Sequence, residues 1–375
     1  MNNTFSRRTF LGAGVALPLT GVLINGAEPN TARQPTPLIH CTDLFHPHND
    51  PDDHFDLACV FSLGYQGLVD LRGIGLDHTP LHFNHSYGDP DVMGVAQLNR
   101  ICGLAVPSAV GTSKLMTKRT DTLADLSLQE STSIRWIIDT LKKSDRPVAI
   151  TAVGSATDVA VATHREPELF RQKCAGVHLN AGATHQPRPD MLEYNVQINP
   201  SAYAAMFDLP CPLYWYPCFH MAGEFKPGEW GTYYLMPHRK VFEGVESKPL
   251  QAFFWSMFSR SQSVNWFRTI QAAPPESDWN NILNDNRHMW CPASLLLLAG
   301  LTVTKSGKIV LTAEAGNDAL FRMEHVKVEC EDNGRLKWEL SKEPTGRLVF
   351  HVLDVPNYPA AMTEAVRTLL CAIPT

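Results

Sequence analysis

Short apolar runs alternate with amphipathic segments along the first half of the chain. Five runs, bounded by Gly, Pro or Asp, have the character of buried strands: 38–41, 68–76, 147–152, 174–179 and 212–215. Four segments between them have the apolar spacing of helices: 53–63, 93–102, 131–143 and 157–164. This alternation predicts an α/β fold with an open, mainly parallel sheet flanked by helices on both faces.

The second half has a different pattern. Residues 222–245 are rich in aromatic residues, glycine and proline, which predicts a lid or rim loop, with the core of an ordinary insertion as the alternative. Further elements follow, and they are helices at 249–259, 294–299 and 360–370 and antiparallel strands within 308–353. The Asn333-Gly334 pair predicts a hairpin turn, so the fold should end in an antiparallel β addition.

The N-terminus reads as an export signal. Arg7 and Arg8 precede an apolar stretch that is short for a membrane span and is interrupted by Pro18. Residues 1–27 therefore resemble a twin-arginine signal peptide, with an uncleaved tether as the alternative. We expect a linker at 28–37, one domain at 38–375, and a periplasmic or extracellular location.

The composition limits the classes of partner that we expect for the protein. The 375 residues are 44% hydrophobic and 19% charged, which is typical of a folded soluble domain. A net charge of -6 disfavours nucleic acid and anionic membranes as partners. The nine cysteines include no Cys-x-x-Cys pair and predict buried thiols, although Cys211 and Cys218 could pair after export.

The segment from Thr42 to Asp56 is the most informative part of the chain. It follows a predicted strand, leads into a predicted helix and contains five carboxylates: Asp43, Asp50, Asp52, Asp53 and Asp56. So many neighbouring charges need compensation, and oxygen ligands favour a hard cation, Ca²⁺ or Mg²⁺. Two alternatives are a solvated turn that caps the helix and a transition-metal site opened by His46-x-His48.

Several motifs resemble, in order, those of the inosine-uridine-preferring nucleoside hydrolase family. Asp43 with Asp52-Asp53 is similar to the opening D-x-D-P-G-x-D-D motif of that family, with a longer loop that lacks the glycine. Residues 148–158 resemble its strand and G-x-x-T-N turn, and residues 177–183 resemble its M-G-G-A strand end. Residues 193–202, which begin Glu-Tyr-Asn, are similar to its E-F-N-x-x-x-D-P-x-A segment.

This resemblance implies roles for individual residues. Asp43 and Asp53 would bind Ca²⁺ with the main-chain carbonyl of Val153, and Asp50 is the reserve candidate for the role of Asp43. The groups that would hold a ribose are Asp52, Asp77, Asn180, Glu193 and Asn195. Asp43 would accept the proton of the attacking water and His288 would protonate the leaving group. Taken alone, Asn180 and Asn195 could instead satisfy backbone groups, Glu193 could lie on the surface, and His288 could simply be packed.

The chain departs from the family at Met289, where the family has the aspartate that completes its metal site. Either the site has one carboxylate fewer, or Asp285 or a residue of another loop substitutes, or the site no longer hydrolyses. We therefore predict a Ca²⁺-dependent hydrolase of N-glycosidic bonds in a small ribosyl compound. The alternatives are a sugar- or nucleoside-binding protein without turnover and a hydrolase of another polyhydroxylated substrate. The sequence leaves a homo-oligomer open.

Overall fold

A nine-stranded sheet forms the centre of the computed structural model, which describes residues 34–47, 52–78, 89–188, 190–261 and 263–375. The strands are β1 (Thr36–Thr42), β2 (Phe45–His46), β3 (Val69–Leu76), β4 (Asp89–Pro90), β5 (Ser108–Val110), β6 (Val148–Ala152), β7 (Cys174–Asn180), β8 (Ala183–His185), β9 (Leu213–Tyr216), β10 (Phe219–Met221), β11 (Tyr234–Pro237), β12 (Asn286–Met289), β13 (Leu301–Val303), β14 (Ile309–Leu311), β15 (Phe321–Cys330), β16 (Leu336–Leu340) and β17 (Arg347–Val352).

The helices connect these strands and cover the sheet. They are α1 (Asp52–Tyr65), α2 (Val92–Cys102), α3 (Thr132–Lys143), α4 (Thr157–Arg165), α5 (Pro167–Lys173), α6 (Tyr194–Ile198), α7 (Pro200–Met206), α8 (His238–Val241), α9 (Lys248–Phe258), α10 (Trp266–Thr269), α11 (Glu276–Leu283), α12 (Pro292–Leu298), α13 (Thr312–Ala315) and α14 (Tyr358–Cys371), with a 3₁₀ turn at Gly316–Asp318. Among the described residues, none of these helices has the length and apolar character needed to cross a membrane.

The strand order of the central sheet is β16-β15-β17-β9-β7-β6-β1-β3-β5. Neighbours from β17 to β5 are parallel, whereas β15 is antiparallel to both β16 and β17. From β1 the chain builds outward through β3 to β5, and it then returns to β6 and builds the other half. The border between β1 and β6 is therefore the point where the strand order reverses.

The sheet has a hydrophobic layer on each face. Leu38 belongs to the layer that contains the apolar face of α1, and its neighbour Ile39 belongs to the opposite layer, as the two-residue period of a strand requires. Both residues are fully buried. The predicted α/β class and parallel sheet are confirmed.

The C-terminal part confirms the predicted antiparallel addition and adds detail. The Gly334 N–H donates to the Glu331 carbonyl at 2.9 Å in the turn between β15 and β16, and Gly334 has φ +84°, so the predicted turn forms. β17 differs from the expectation because it also pairs in parallel with β9, and this pairing joins the addition to the main sheet.

Residues 222–245 contain β11 and α8 rather than one irregular loop. Tyr233 and Tyr234 are buried, whereas the Phe225 side chain is 59% exposed. Tyr233 and Tyr234 are thus packed as core, whereas the beginning of the segment has the exposure expected of a rim.

Candidate active site

Four parallel strands present their carboxyl ends at one edge of the sheet, and polar groups follow each of them. Asp43 follows β1, Asp77 follows β3, and Val153 follows β6, while Asn180 is the last residue of β7. The strand order reverses between β1 and β6, which is the place where open α/β sheets bind ligands. The structure therefore brings together residues that the sequence spreads over more than a hundred positions.

Gly154 allows two of these carboxylates to approach the turn after β6. A Cβ added at this position would lie 2.6 Å from both Asp43 Oδ1 and Asp77 Oδ2. Because real Cβ atoms do not come so close, only glycine leaves room for both carboxylates here. The Ser155 N–H donates to Asp77 Oδ2 at 2.5 Å and holds that side chain against the turn.

The first turns of α1 add three more carboxylates. Asp52, Asp53 and Asp56 each place a carboxylate oxygen within 4.8 Å of the others, because residues three and four apart share a helix face. Asp53 is 5% exposed and accepts a hydrogen bond from the Thr42 hydroxyl at 3.1 Å. The helix therefore points a second acidic group toward the strand ends.

Burial and mutual repulsion govern the charge of this cluster. Burial raises the pKa of Asp53 well above its ordinary value, and the charges of Asp43, Asp52 and Asp56 raise it further. Burial, opposed by a contact with the Cys291 thiol and reinforced by the charge of Asp43, raises the pKa of Asp56 to about 8. Among the described residues, none of the groups that perturb Asp56 or Asp77 is a lysine or arginine. In this part of the chain, no such side chain therefore offsets the charge of these two carboxylates.

The residues present fit a hard divalent cation. Both oxygens of Asp56 are buried and accept no hydrogen bond from an N–H or O–H group of the described residues. The Val153 carbonyl lies at the β6 end, one residue before the Gly154 that Asp43 and Asp77 approach. Among the described residues it accepts a side-chain hydrogen bond from Asn195 Nδ2 at 2.9 Å, and a carbonyl oxygen has a second lone pair. Several carboxylates and a carbonyl are the ligand set that Ca²⁺ prefers, and Mg²⁺ uses the same atom type.

The residues predicted to hold a sugar have different environments. Glu193 is the N-cap of α6, and its two oxygens accept hydrogen bonds from Asn195 N at 3.0 Å and Gly182 N at 2.7 Å. Asn195 donates both amide hydrogens to strand-end carbonyls, those of Val153 and Asn180. Asn180 is fully buried, and neither polar atom of its side chain has a hydrogen-bond partner among the described residues. A bound ligand could therefore satisfy this amide.

His288 and Met289 lie on β12, which pairs antiparallel with β11. Met289 is fully buried in the hydrophobic core, so it supplies no ligand. His288 Nδ1 lies 2.8 Å from the Tyr233 hydroxyl, and its ring packs against Phe225 with centroids 5.1 Å apart. Asp285 has an exposed side chain that accepts a hydrogen bond from Asn286 N, which places it in a surface turn.

Asp56 is the group to which the sequence analysis assigned no separate role. Its spacing from Asp52 and Asp53 on a predicted helix is the signal that identifies it. The Cys291 thiol, two residues beyond Met289, contacts Asp56. Asp56 therefore supplies a carboxylate in the region where Met289 cannot, whereas the reserve candidate Asp50 lies outside the described residues.

Solved structures with this fold are nucleoside hydrolases and related proteins. The purine-preferring ribonucleoside hydrolase from Gardnerella vaginalis matches with a TM-score of 0.53 at 15% identity, over 90% of this chain and 99% of that one. The plant nucleoside hydrolase PpNRh1 matches with a TM-score of 0.52 at 12% identity, over 89% and 99%. The type III effector protein XopQ, solved with adenosine diphosphate ribose, matches with a TM-score of 0.53 at 13% identity, over 90% and 95%.

No protein-family model matches the sequence, and no curated protein matches it. At identities of 12–15%, the structural matches establish that the chain has the nucleoside hydrolase fold. Function has to be argued from the site itself.

Proposed function

We propose that the protein is a Ca²⁺-dependent hydrolase of N-glycosidic bonds in ribonucleosides or related ribosyl compounds. One observation carries the proposal: buried carboxylates converge at the strand-order reversal of a nucleoside hydrolase fold, and no lysine or arginine of the described residues supplies positive charge to Asp56 or Asp77. A divalent cation supplies that charge, and a sugar ring with several hydroxyls suits the remaining carboxylate and amide groups.

Asp43, Asp53, Asp56 and the Val153 carbonyl would hold the cation. When bound, the cation supplies the positive charge that acidifies a water molecule. Asp43 then acts as general base, because it is buried at the β1 end among the other carboxylates and can accept the proton of the attacking water. A carboxylate in this position also favours the positive charge that develops on the sugar as the glycosidic bond breaks.

Asp52 and Asn180 are the groups best placed to bind sugar hydroxyls. Asn180 offers one donor and one acceptor with no partner in the described residues. Asn195 and Glu193 act as positioning residues, because their hydrogen bonds hold the β6 and β7 ends and the Gly182 turn. The Asp77 carboxylate lies beside Gly154, as the Asp43 carboxylate does.

His288 is proposed as the proton donor to the leaving group. Its ring lies among aromatic side chains that could stack on a base, namely Phe225, Tyr233 and Trp290. The contact with the Tyr233 hydroxyl orients the ring through Nδ1.

The test is release of the free base from a panel of purine and pyrimidine nucleosides and from adenosine diphosphate ribose. The chelator-treated protein is assayed across a range of Ca²⁺ concentrations. We expect release that rises with Ca²⁺ and is lost in Asp43→Asn. No release from any compound at saturating Ca²⁺ would contradict the proposal.

A second candidate is a protein that binds a ribosyl compound without cleaving it, and the burial of Met289 favours it. The same panel separates the two candidates when binding is measured by calorimetry alongside turnover. Tight binding with no product would select the binding protein.

We further propose that residues 1–27 direct export by the twin-arginine route; these residues lie outside the described part of the chain. Replacing Arg7 and Arg8 by lysine should retain the protein in the cytoplasm of a bacterial host. Fractionation with an unaltered copy as control measures this, and unchanged export of the variant would refute the signal.

A further inference from the structure

A second group of metal-binding side chains lies outside the carboxylate cluster. His46 Nδ1, His54 Nε2 and Asp91 Oδ2 all lie within 4.8 Å of one another. Asp91 Oδ2 is 3.1 Å from His54 Nε2 and 3.8 Å from His46 Nδ1. Ligand atoms in a tetrahedral zinc site are separated by about 3.4 Å, so the three atoms need only small movements to share one ion.

The three side chains come from different elements and are shielded from solvent. His46 ends β2, His54 lies on α1 and Asp91 is the N-cap of α2. His54 is 1% exposed, Asp91 is 4% exposed and His46 is 12% exposed. The group is therefore held by the fold and is not a chance encounter of surface residues.

Asp91 and His46 are each fixed by their other polar atom. Asp91 Oδ1 accepts a hydrogen bond from the Gly94 N–H at 2.8 Å, which turns Oδ2 toward the histidines. His46 Nε2 contacts the Ser261 carbonyl oxygen. Because a carbonyl only accepts, Nε2 carries the hydrogen, and in the neutral ring Nδ1 has a lone pair that faces Asp91.

Two electron-rich atoms that face each other need positive charge between them. A metal ion supplies it, and histidines that bind metals commonly donate their second ring N–H to a carbonyl in this way. Without a metal, the alternatives are a hydrogen bond from His54 Nε2–H to Asp91 Oδ2 at 3.1 Å and a protonated histidine that pairs with Asp91.

A small cleft lies beside His46 and Asp91, and its lining also includes Gln97, Ser256 and Trp266. The space for water in it is about 10 Å³, which is room for roughly one molecule. A site with three protein ligands and an accessible fourth position is the arrangement of exchangeable and catalytic zinc sites.

We propose that His46, His54 and Asp91 form a second cation site, which binds a divalent transition-metal ion such as Zn²⁺ with its fourth position open to the cleft. Two nitrogen ligands select such an ion over Ca²⁺, whereas the carboxylate cluster has only oxygen ligands. The chain would then carry two sites of different metal preference on the two sides of α1.

The test uses the full chain, without an affinity tag, stripped by chelator and kept in excess Ca²⁺ while Zn²⁺ is titrated by calorimetry. We expect one equivalent to bind. Asp91→Asn should lower the affinity at least 100-fold while it retains the helix cap, since asparagine caps as well as aspartate. His46→Gln should do the same, and Co²⁺ in place of Zn²⁺ should give a visible spectrum that both variants lose.

Two control variants locate the ion. Asp53→Asn should keep the Zn²⁺ equivalent, and its loss there would place the ion in the carboxylate cluster and overturn the proposal. His185→Gln should also keep it; His185 and His220, with ring centroids 4.7 Å apart, are the competing histidine pair. Absence of a bound equivalent, or undiminished binding by Asp91→Asn and His46→Gln, would overturn the proposal and leave the contact as a hydrogen bond or ion pair without a metal.

Discussion

Asn180 is a fully buried amide whose oxygen and nitrogen have no hydrogen-bond partner in the part of the chain that the structure describes, which is an unusual state for a polar side chain. Such a group destabilises the ligand-free protein by about 1–3 kcal/mol and becomes useful only when a ligand fills its hydrogen bonds. We predict that Asn180→Leu, a change of similar volume, leaves the ligand-free protein as stable as the parent or more stable and weakens binding of ribose at least tenfold. Urea denaturation and calorimetry measure the two effects.

Asn199 provides the matched control for that change. It is also buried, but its Nδ2 donates to the Thr157 hydroxyl at 3.1 Å and its Oδ1 accepts from Ala202 N at 3.2 Å. Asn199→Leu should therefore destabilise the protein by about 1–3 kcal/mol. Equal destabilisation by both changes would mean that Asn180 supports the fold.

Either Asp56 or Asp285 could replace the carboxylate that is missing at Met289, and substitutions distinguish the two. Its buried oxygens meet no N–H or O–H donor of the described residues, whereas Asp285 is exposed on a turn. We predict that Asp56→Asn removes most of the rise in melting temperature on addition of Ca²⁺, because a ligand that binds only the folded state stabilises it by mass action. Asp285→Asn should retain the full rise; the opposite pattern would assign the carboxylate to Asp285.

At the scale of residues, the sequence predicted the kind of site more accurately than it predicted which side chains contact one another. The density of aspartates between Asp43 and Asp56 indicated a cation site, and the structure supplies a fitting set of oxygens. The sequence could not show that Asn195 donates both amide hydrogens to strand-end carbonyls, because those partners are 15 and 42 residues away along the chain. Nor could it identify Asp91 as the neighbour of His46 and His54.

At the scale of elements, the turn between β6 and α4 leaves room for the carboxylates of the site because residue 154 is glycine. We predict that Gly154→Ala weakens Ca²⁺ binding at least tenfold although no ligand is removed, because the new Cβ would press on Asp43 and Asp77 at 2.6 Å. Calcium titration by calorimetry measures the effect. Gly64→Ala, on α1, is the control: its Cβ meets nothing closer than 3.5 Å, so binding should be unchanged.

The elements themselves were predicted well where they are long or buried. β1, β3, β6, β7 and β9 lie within two residues of the predicted apolar runs, since burial on both faces gives a continuous hydrophobic signal. The structure of residues 222–245 was harder to predict from the sequence, because aromatic residues are equally common in packed insertions and in lids. The parallel pairing of β17 with β9 depends on contacts 134 or more residues apart, which local pattern does not record.

For the whole molecule, two sets of buried groups impose opposite pH dependences. Burial lowers the pKa of both His40 and His178 to about 3, so their contribution to stability is present above about pH 6.5 and is lost as the pH falls. Burial raises the pKa of Asp56 to about 8 and that of Glu193 to about 7. Their contribution is present below about pH 4 and is lost as the pH rises through 7–8.

The last prediction concerns the effect of Ca²⁺ on the pH dependence of stability. Ca²⁺ competes with protons for the carboxylates, so it should offset the loss of stability at higher pH. We expect the rise in melting temperature on adding Ca²⁺ to be small at pH 5.5 and several-fold larger at pH 8, and to depend less on pH in Asp56→Asn. Melting curves at matched ionic strength, with Na⁺ replacing Ca²⁺ as control, measure it. An equal rise at both pH values would show that Ca²⁺ binds elsewhere, since only ligands that must lose protons make the metal's effect depend on pH in this direction.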